Sequence, residues 1–158
     1  MSDALESLNG LVVPLADQLL LLPNVAVAEL VGYRLAQAAL EGPQWFLGWT
    51  SWRGKQVPVI DPDLLLGRPL AVSPAVPRTL ILNAVGQRPG VGFIALRING
   101  IPRSKRVVRG EIVAAGPASP FISQPVQLAD EQQVLLIPDL AAIEEALEQA
   151  GVLTVSAD

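Results

Sequence analysis

The chain lacks two residue types on which much enzyme chemistry depends, since its 158 residues include no cysteine and no histidine. Their absence excludes thiol nucleophiles, disulfide bonds, zinc sites of the usual composition and the commonest general base. The alternative left open is a serine–lysine pair, for which Lys55 and Lys105 are the only lysines. We therefore expect no catalytic activity, no metal and no cofactor.

Charge is also scarce, because only 16% of the residues are charged while 51% are hydrophobic. Such a composition favours self-association or a surface that a partner covers. The net charge of −4 argues against nucleic-acid binding as the main function. Four basic residues nevertheless share one stretch, which we interpret as a solvated strand face or a contact for an acidic partner: Arg103, Lys105, Arg106 and Arg109.

No apolar run approaches the ~20 residues of a membrane span, and the acidic N-terminus does not resemble a signal peptide. We therefore expect a cytoplasmic protein without direct membrane insertion. The length fits one domain, which we place at residues 10–152 between tails at 1–9 and 153–158. Prolines at 68–77 indicate a connector between two strand-rich halves.

Short apolar runs bounded by turn residues predict a mainly-β fold. We expect a short helix or loosely helical connection at 33–41, before Gly42-Pro43, and a loop at 114–125. Asp139 is a candidate N-cap for a C-terminal helix that reaches Ala150. The predicted strands lie at 11–15, 19–22, 25–31, 78–84, 91–98, 126–128 and 134–137.

The stretch from Leu47 to Gly67 predicts a hairpin followed by one helical turn. Its turn is expected at Arg53–Gln56, and Pro58 indicates that the second arm lies at a sheet edge or bend. Asp61 before Pro62 predicts an N-cap, and Gly67 ends the turn.

The order of residues in this stretch resembles the signature of CheW-like chemotaxis coupling domains: Gly48, Trp52-Arg53-Gly54, Val57-Pro58-Val59-Ile60-Asp61 and Gly67. The resemblance extends to Leu22-Pro23 and Val27–Leu30 and covers nearly the whole chain. Leu20–Asn24 and Trp52 are more similar to adaptors of type IV pilus chemosensory systems. The resemblance implies two SH3-like five-stranded β-barrel subdomains with a C-terminal helix. For residues 33–41 it implies a loop that leads to the signature strand, in conflict with the helix expected from the residues themselves.

It also implies a non-enzymatic adaptor that couples a methyl-accepting chemoreceptor to the regulatory domain of a CheA-type histidine kinase. By position, the protein-binding candidates are Val27, Glu29, Trp52, Arg53 and Leu80. The structural motif would comprise Gly48, Gly54, Pro58, Asp61 and Gly67. For Arg53, an ion pair with Glu29 that orients neighbouring strands is the structural alternative.

Two other functions stay open, a small-ligand-binding β-barrel and a structural subunit of the pilus machinery that couples no kinase. The three tryptophans bear on this choice because such residues are common both in cores and at binding sites. Strand alternation places Trp49 and Trp52 on opposite faces. A cavity lined by Trp45, Trp49 and Trp52 would favour the ligand-binding function.

Overall fold

The computed structural model describes residues 7–16, 18–67, 76–86, 91–108, 110–129 and 132–152. These residues form twelve strands and two α-helices, which confirms the mainly-β prediction. The elements in chain order are β1 (Ser7–Pro14), β2 (Leu19–Pro23), β3 (Val27–Gly32), β4 (Gln37–Ala38), β5 (Phe46–Trp52), β6 (Lys55–Ile60), α1 (Pro62–Leu65), β7 (Pro77–Asn83), β8 (Phe93–Asn99), β9 (Arg103–Val108), β10 (Ile112–Ala114), β11 (Ile122–Leu128), β12 (Leu135–Pro138) and α2 (Leu140–Gln149).

The strands form two sheets of six, one strand more in each than the five expected. Sheet A has the order β10-β11-β12-β2-β1-β9, and sheet B has the order β3-β7-β8-β6-β5-β4. Sheet A thus combines strands from both ends of the described chain, whereas sheet B uses the middle. The pairs β12–β2 and β6–β8 are parallel and the others are antiparallel.

This topology changes two expected boundaries. The connector predicted at 68–77 joins α1 to β7, so it links β6 and β7 of one sheet rather than two separate halves. Of this segment, residues 68–75 lie outside the described residues. At the N-terminus, β1 starts at Ser7, within the stretch expected to be a tail, and residues 1–6 and 153–158 lie outside the described part.

The two sheets share one apolar core, and each also buries a cluster of its own. Leu20 from sheet A, Leu80 from sheet B and Leu147 from α2 all belong to the shared core. Alternation along a strand sends the next residue, such as Leu21 or Ile81, into its own sheet's cluster. Both faces of these strands are therefore covered, which explains their nearly continuous apolar sequences.

The predicted helix at 33–41 is wrong. This segment instead contains β4, and flanking backbone amides donate to β5: Ala36 to the Trp49 oxygen at 2.7 Å and Ala39 to the Leu47 oxygen at 2.9 Å. In this extended form Leu40 is 93% exposed, while Leu35 and Ala39 pack against buried clusters. Tertiary hydrogen bonds thus outweigh the helical propensity of these residues. The loop predicted at 114–125 is also shorter, because β11 begins at Ile122.

The C-terminal helix is present as predicted. The Asp139 carboxylate accepts a hydrogen bond from the Ala142 amide at 3.0 Å, and Ile143 and Leu147 are buried on one face. Glu144 lies on the same helix and is completely buried, which the sequence did not indicate. Its carboxylate accepts hydrogen bonds from the backbone amides of Val85 at 2.6 Å and Gly86 at 2.8 Å. This contact ties α2 to the turn that follows β7 of sheet B.

A second contact between the sheets involves α1. The Asp63 carboxylate accepts a hydrogen bond from the Ala16 amide at 2.9 Å, in the connection between β1 and β2. Since α1 follows β6 of sheet B, this bond fixes a turn of sheet A against it.

Candidate functional site

The β5–β6 hairpin presents the arginine of the sequence signature at its tip. Trp52 pairs with Lys55, so the turn contains only Arg53 and Gly54, two residues fewer than predicted. Both have positive φ, 49° and 74°, as in the type I′ turns that match the twist of a hairpin. Glycine adopts this conformation easily, but for arginine it is uncommon and costs free energy unless other contacts hold it.

Those contacts come from Glu29 and Trp52. Glu29 Oε1 accepts a hydrogen bond from Trp52 Nε1 at 3.1 Å and from Arg53 Nη2 at 3.0 Å. The Arg53 guanidinium also lies over the Trp52 ring, 4.8 Å from its centroid. Trp52 is 8% exposed and packs edge-on against Phe93, which gives the cluster a rigid base. We call Glu29, Trp52 and Arg53 the signature triad.

The ion pair expected between Glu29 and Arg53 is present, but it does not connect neighbouring strands. In sheet B, β3 is separated from β5 by β7, β8 and β6. The sheet must therefore curl for Glu29 to reach the hairpin. The side chains of Arg53 and Glu29 remain 69% and 39% exposed, so they form a charged surface above a buried indole.

The two apolar candidates have different environments. Val27 is half-buried, pairs with Leu82 and packs against the shared core. Leu80 is only 1% exposed and belongs to that core, so the expectation that it faces a partner is wrong for this conformation. Its position follows from strand alternation, which turns Leu80 inward towards the other sheet.

Sequence reasoning missed Val25, which is 85% exposed near the start of β3. Alternation had placed Val25 in line with Val27 on a single strand. A 3-10 turn at Asn24–Ala26 interrupts that alternation instead, and Asn83 Nδ2 donates to the Val25 carbonyl at 3.1 Å. The only sequence signal for the turn was Pro23-Asn24.

The backbones of β4 and β5 approach so closely at Gly48 that no side chain fits there. This glycine has a φ of 138°, and a Cβ there would overlap the Gln37 carbonyl oxygen and lie 2.9 Å from the Ala38 Cα. The glycine therefore lets β4 pair with β5. This pairing positions β5, the first strand of the β5–β6 hairpin.

The remaining motif residues shape the end of the hairpin. Pro58 does not lie on an edge strand, because β6 is between β5 and β8, but pairing with β8 begins only at Val59. The expected N-cap is present, with Asp61 Oδ1 accepting from the amides of Asp63 at 3.0 Å and Leu64 at 3.3 Å. Gly67 has a φ of 79° and donates to the Leu64 carbonyl where α1 ends.

A second charged group lies where β6 meets α1. Arg97 Nη1 is 3.8 Å from Asp61 Oδ2, and its guanidinium lies 5.1 Å from the centroid of the Tyr33 ring. Burial raises the pKa of the Tyr33 phenol above its ordinary value; the Arg97 charge partly offsets this effect, and the Asp61 charge adds to it.

Comparison with known protein families shows which family this sequence belongs to. The family model described as "CheW-like domain" matches residues 9–148, which is most of the chain. The chain belongs to the CheW-like domain family. The CheW-like fold is also found in the scaffolding protein TtCheW of Thermoanaerobacter tengcongensis, which superposes with a TM-score of 0.69 at 22% identity, over 84% of this chain and 89% of that chain. No curated protein sequence matches significantly.

The tryptophans of this CheW-like domain mainly pack in its interior. Trp52 belongs to the cluster of sheet B, while Trp45 and Trp49 pack against the shared core, so Trp49 and Trp52 do face opposite sides. An open groove of about 590 Å³ is lined by other residues: Leu15, Ala16, Gln18, Leu19, Gln133, Val134 and Leu136. This groove is therefore not the tryptophan-lined cavity that would have favoured a ligand-binding function.

The described residues also bear on metal binding, membrane spans and the basic stretch. They contain no group of three or more acidic side chains placed to hold a metal ion. None of their helices is both long and apolar enough to cross a membrane. Arg103, Lys105 and Arg106 lie on β9, as the strand interpretation of the basic stretch predicted, and Arg109 lies outside the described residues.

Proposed function

We propose that this CheW-like domain is a non-enzymatic adaptor that couples the cytoplasmic tip of a chemoreceptor to a CheA-type histidine kinase. Membership of the family supports the adaptor role. The resemblance of Leu20–Asn24 and Trp52 to pilus-associated adaptors supports a type IV pilus pathway over flagellar chemotaxis. The kinase would contribute its regulatory domain, and the receptor would bind the surface that carries the signature triad.

The observation that carries the proposal is the exposed, preorganised Arg53. A side chain that must be ordered on binding loses conformational entropy, and holding it beforehand reduces that loss. The bond to Glu29 and the Trp52 ring hold the guanidinium, while its 69% exposure leaves N–H donors for a partner's carboxylate or carbonyl groups. Arginine residues of this kind are common at the centres of interfaces.

Val27 precedes Glu29 in the chain but faces the shared core on the other side of β3, so it does not extend the surface of the signature triad. Val25 is almost fully exposed, whereas Val27 is half-buried and supported by the shared core. Leu80 has no direct role in this proposal, because it is buried in the shared core, on the strand that pairs with β3 through Leu30.

The test uses Arg53→Asn, because asparagine tolerates positive φ and removes the guanidinium without straining the turn. We expect a receptor tip fragment to bind at least about tenfold more weakly, and receptor-dependent kinase autophosphorylation to fall with it. Stability should change by less than about 1 kcal/mol, because the lost ion pair is solvent-exposed.

Lys55→Gln is the matched control, since Lys55 is exposed on the same hairpin and carries the same charge. It should bind receptor as the parent does. If Arg53→Asn is well folded and keeps full receptor affinity and kinase response, the signature triad is not the receptor surface. Substrate turnover by the chain alone, abolished by a point substitution, would contradict the adaptor function itself.

A further inference from the structure

Strand β9 lies at one end of sheet A, and no other described strand pairs with its outer edge. Within the part of the chain that the structure describes, β1 is the only strand paired with β9, through a register that runs from Ser7↔Val108 to Val12↔Arg103. The backbone N–H and C=O groups that an edge strand directs away from its sheet can pair with another extended chain.

The side chains along this strand are mainly basic. Arg103, Ser104 and Arg106 are exposed, Lys105 is half-buried, and Ile101 just before the strand is 65% exposed. We call these five residues the β9 edge. It concentrates positive charge in a protein whose net charge is −4 and places an exposed apolar side chain at one end.

We propose that the β9 edge binds an extended acidic segment of a partner protein, which joins sheet A as an additional strand. Backbone hydrogen bonds would supply affinity, as in other cases of strand addition, and carboxylates facing Arg103 and Lys105 on one face of β9 and Arg106 on the other would supply specificity. An apolar residue at one end of the segment would cover Ile101. The inference goes beyond the coupling function and does not depend on it.

The three basic residues already take part in interactions within the chain. A guanidinium has five N–H donors and an ammonium has three, so these groups can also accommodate a partner's carboxylates. Binding therefore requires no basic side chain to be free beforehand.

Single-stranded nucleic acid is the other polyanion to consider. Proteins that bind it usually stack bases on aromatic side chains, and the sequence from Ile101 to Ala114 contains no aromatic residue. Charged residues also protect edge strands from aggregation, and a purely protective role predicts that no peptide binds. Both alternatives are outcomes of the experiment below.

The experiment uses the full chain and labelled peptides of about ten residues, long enough to span a strand. The first peptide alternates glutamate with valine and ends in leucine. The second replaces its central valines with proline, the third replaces glutamate with lysine, and an oligothymidylate is the fourth probe. We expect only the first to bind, and hydrogen exchange of outward-facing β9 amides to slow, while the edge strands β3 and β4 of sheet B stay unchanged.

Variants then locate the contact. Arg103→Gln/Arg106→Gln should raise the Kd of the acidic peptide about 3- to 10-fold, since each charged pair contributes modestly. Arg34→Gln/Lys55→Gln removes the same charge from exposed positions elsewhere and should leave the Kd within about twofold. Circular dichroism should show both double variants folded.

Several results would overturn the inference. Equal binding of the proline-containing peptide would exclude strand addition, and equal or tighter binding of the lysine peptide or the oligothymidylate would exclude acidic-peptide specificity. Equal losses in both double variants would show an effect of total charge. Absence of binding by the acidic peptide would leave protection of the edge as the role of these charges.

Discussion

Replacing Glu144 with alanine should destabilise the protein strongly. The residue lies on α2, far from the signature triad in sequence, where a charged side chain would ordinarily face solvent. Its carboxylate is completely buried and accepts hydrogen bonds from the amides of Val85 and Gly86. Hydrogen bonds to a charged group contribute about 1.5–3 kcal/mol each, so losing both should cost about 3–5 kcal/mol. That is a large fraction of the ~5–15 kcal/mol by which domains are stable.

Glu144→Gln keeps an acceptor of nearly the same shape but loses the charge, so we expect an intermediate loss of about 1–3 kcal/mol. Glu145→Ala is the matched control, because Glu145 is exposed on the same helix. The one hydrogen bond described for its side chain is donated by Gln149 Nε2. The Glu145→Ala substitution should cost at most about 0.5 kcal/mol.

Chemical denaturation measures these differences from the transition midpoint and its slope. For a domain of this size, the Glu144→Ala loss corresponds to a fall in Tm of roughly 6–20 °C. If Glu144→Ala and Glu145→Ala lose similar stability, the two amide contacts do not hold α2 against sheet B, and the reasoning is refuted.

Three further predictions concern the core, the hairpin and the response to high pH. Leu80→Glu should prevent folding as judged by circular dichroism, because its charge would enter the shared core; a folded variant that has lost only receptor binding would contradict this. Gly48→Ala should destabilise the protein by about 2 kcal/mol or more, measured by urea denaturation, since its methyl group meets the Gln37 carbonyl; an unchanged midpoint would show that β4 moves away freely. Burial raises the pKa of the Tyr33 phenol, so the protonated phenol contributes stability that is complete below pH 10 and is lost as pH rises through the raised pKa. Tyr33→Phe should therefore show a shallower fall in stability above pH 10, and identical pH profiles of variant and parent would contradict this.

The sequence predicted best where one local feature determines structure. The Asp61 and Asp139 caps, the hairpin at the signature and the burial of Ile143 and Leu147 all follow from short-range capping, turn and periodicity rules. The resemblance to the CheW-like signature predicted the specific fold, whereas local patterns alone predicted only a mainly-β protein.

The failures involve contacts between residues distant in the chain. Residues 33–41 favour a helix locally, but β5 offers their amides hydrogen bonds that only the folded sheet provides. Glu144 looked like an ordinary charge on a helix, since its partners Val85 and Gly86 lie about 60 residues earlier in the chain, in the turn after β7. Leu80 matched a partner-facing position by sequence, yet whether it is buried depends on how sheet A covers β7.

The interleaved order of the two sheets has a consequence during synthesis. All strands of sheet B lie between residues 27 and 99, so this sheet can form as soon as that part of the chain has left the ribosome. The β1–β2 pair emerges earlier but must wait for β9 and then for β12, whose Leu136 pairs with Leu20. Sheet B can cover one apolar face of this pair through the shared core, but the face that packs in the cluster of sheet A stays uncovered until then and is exposed to aggregation and to chaperones.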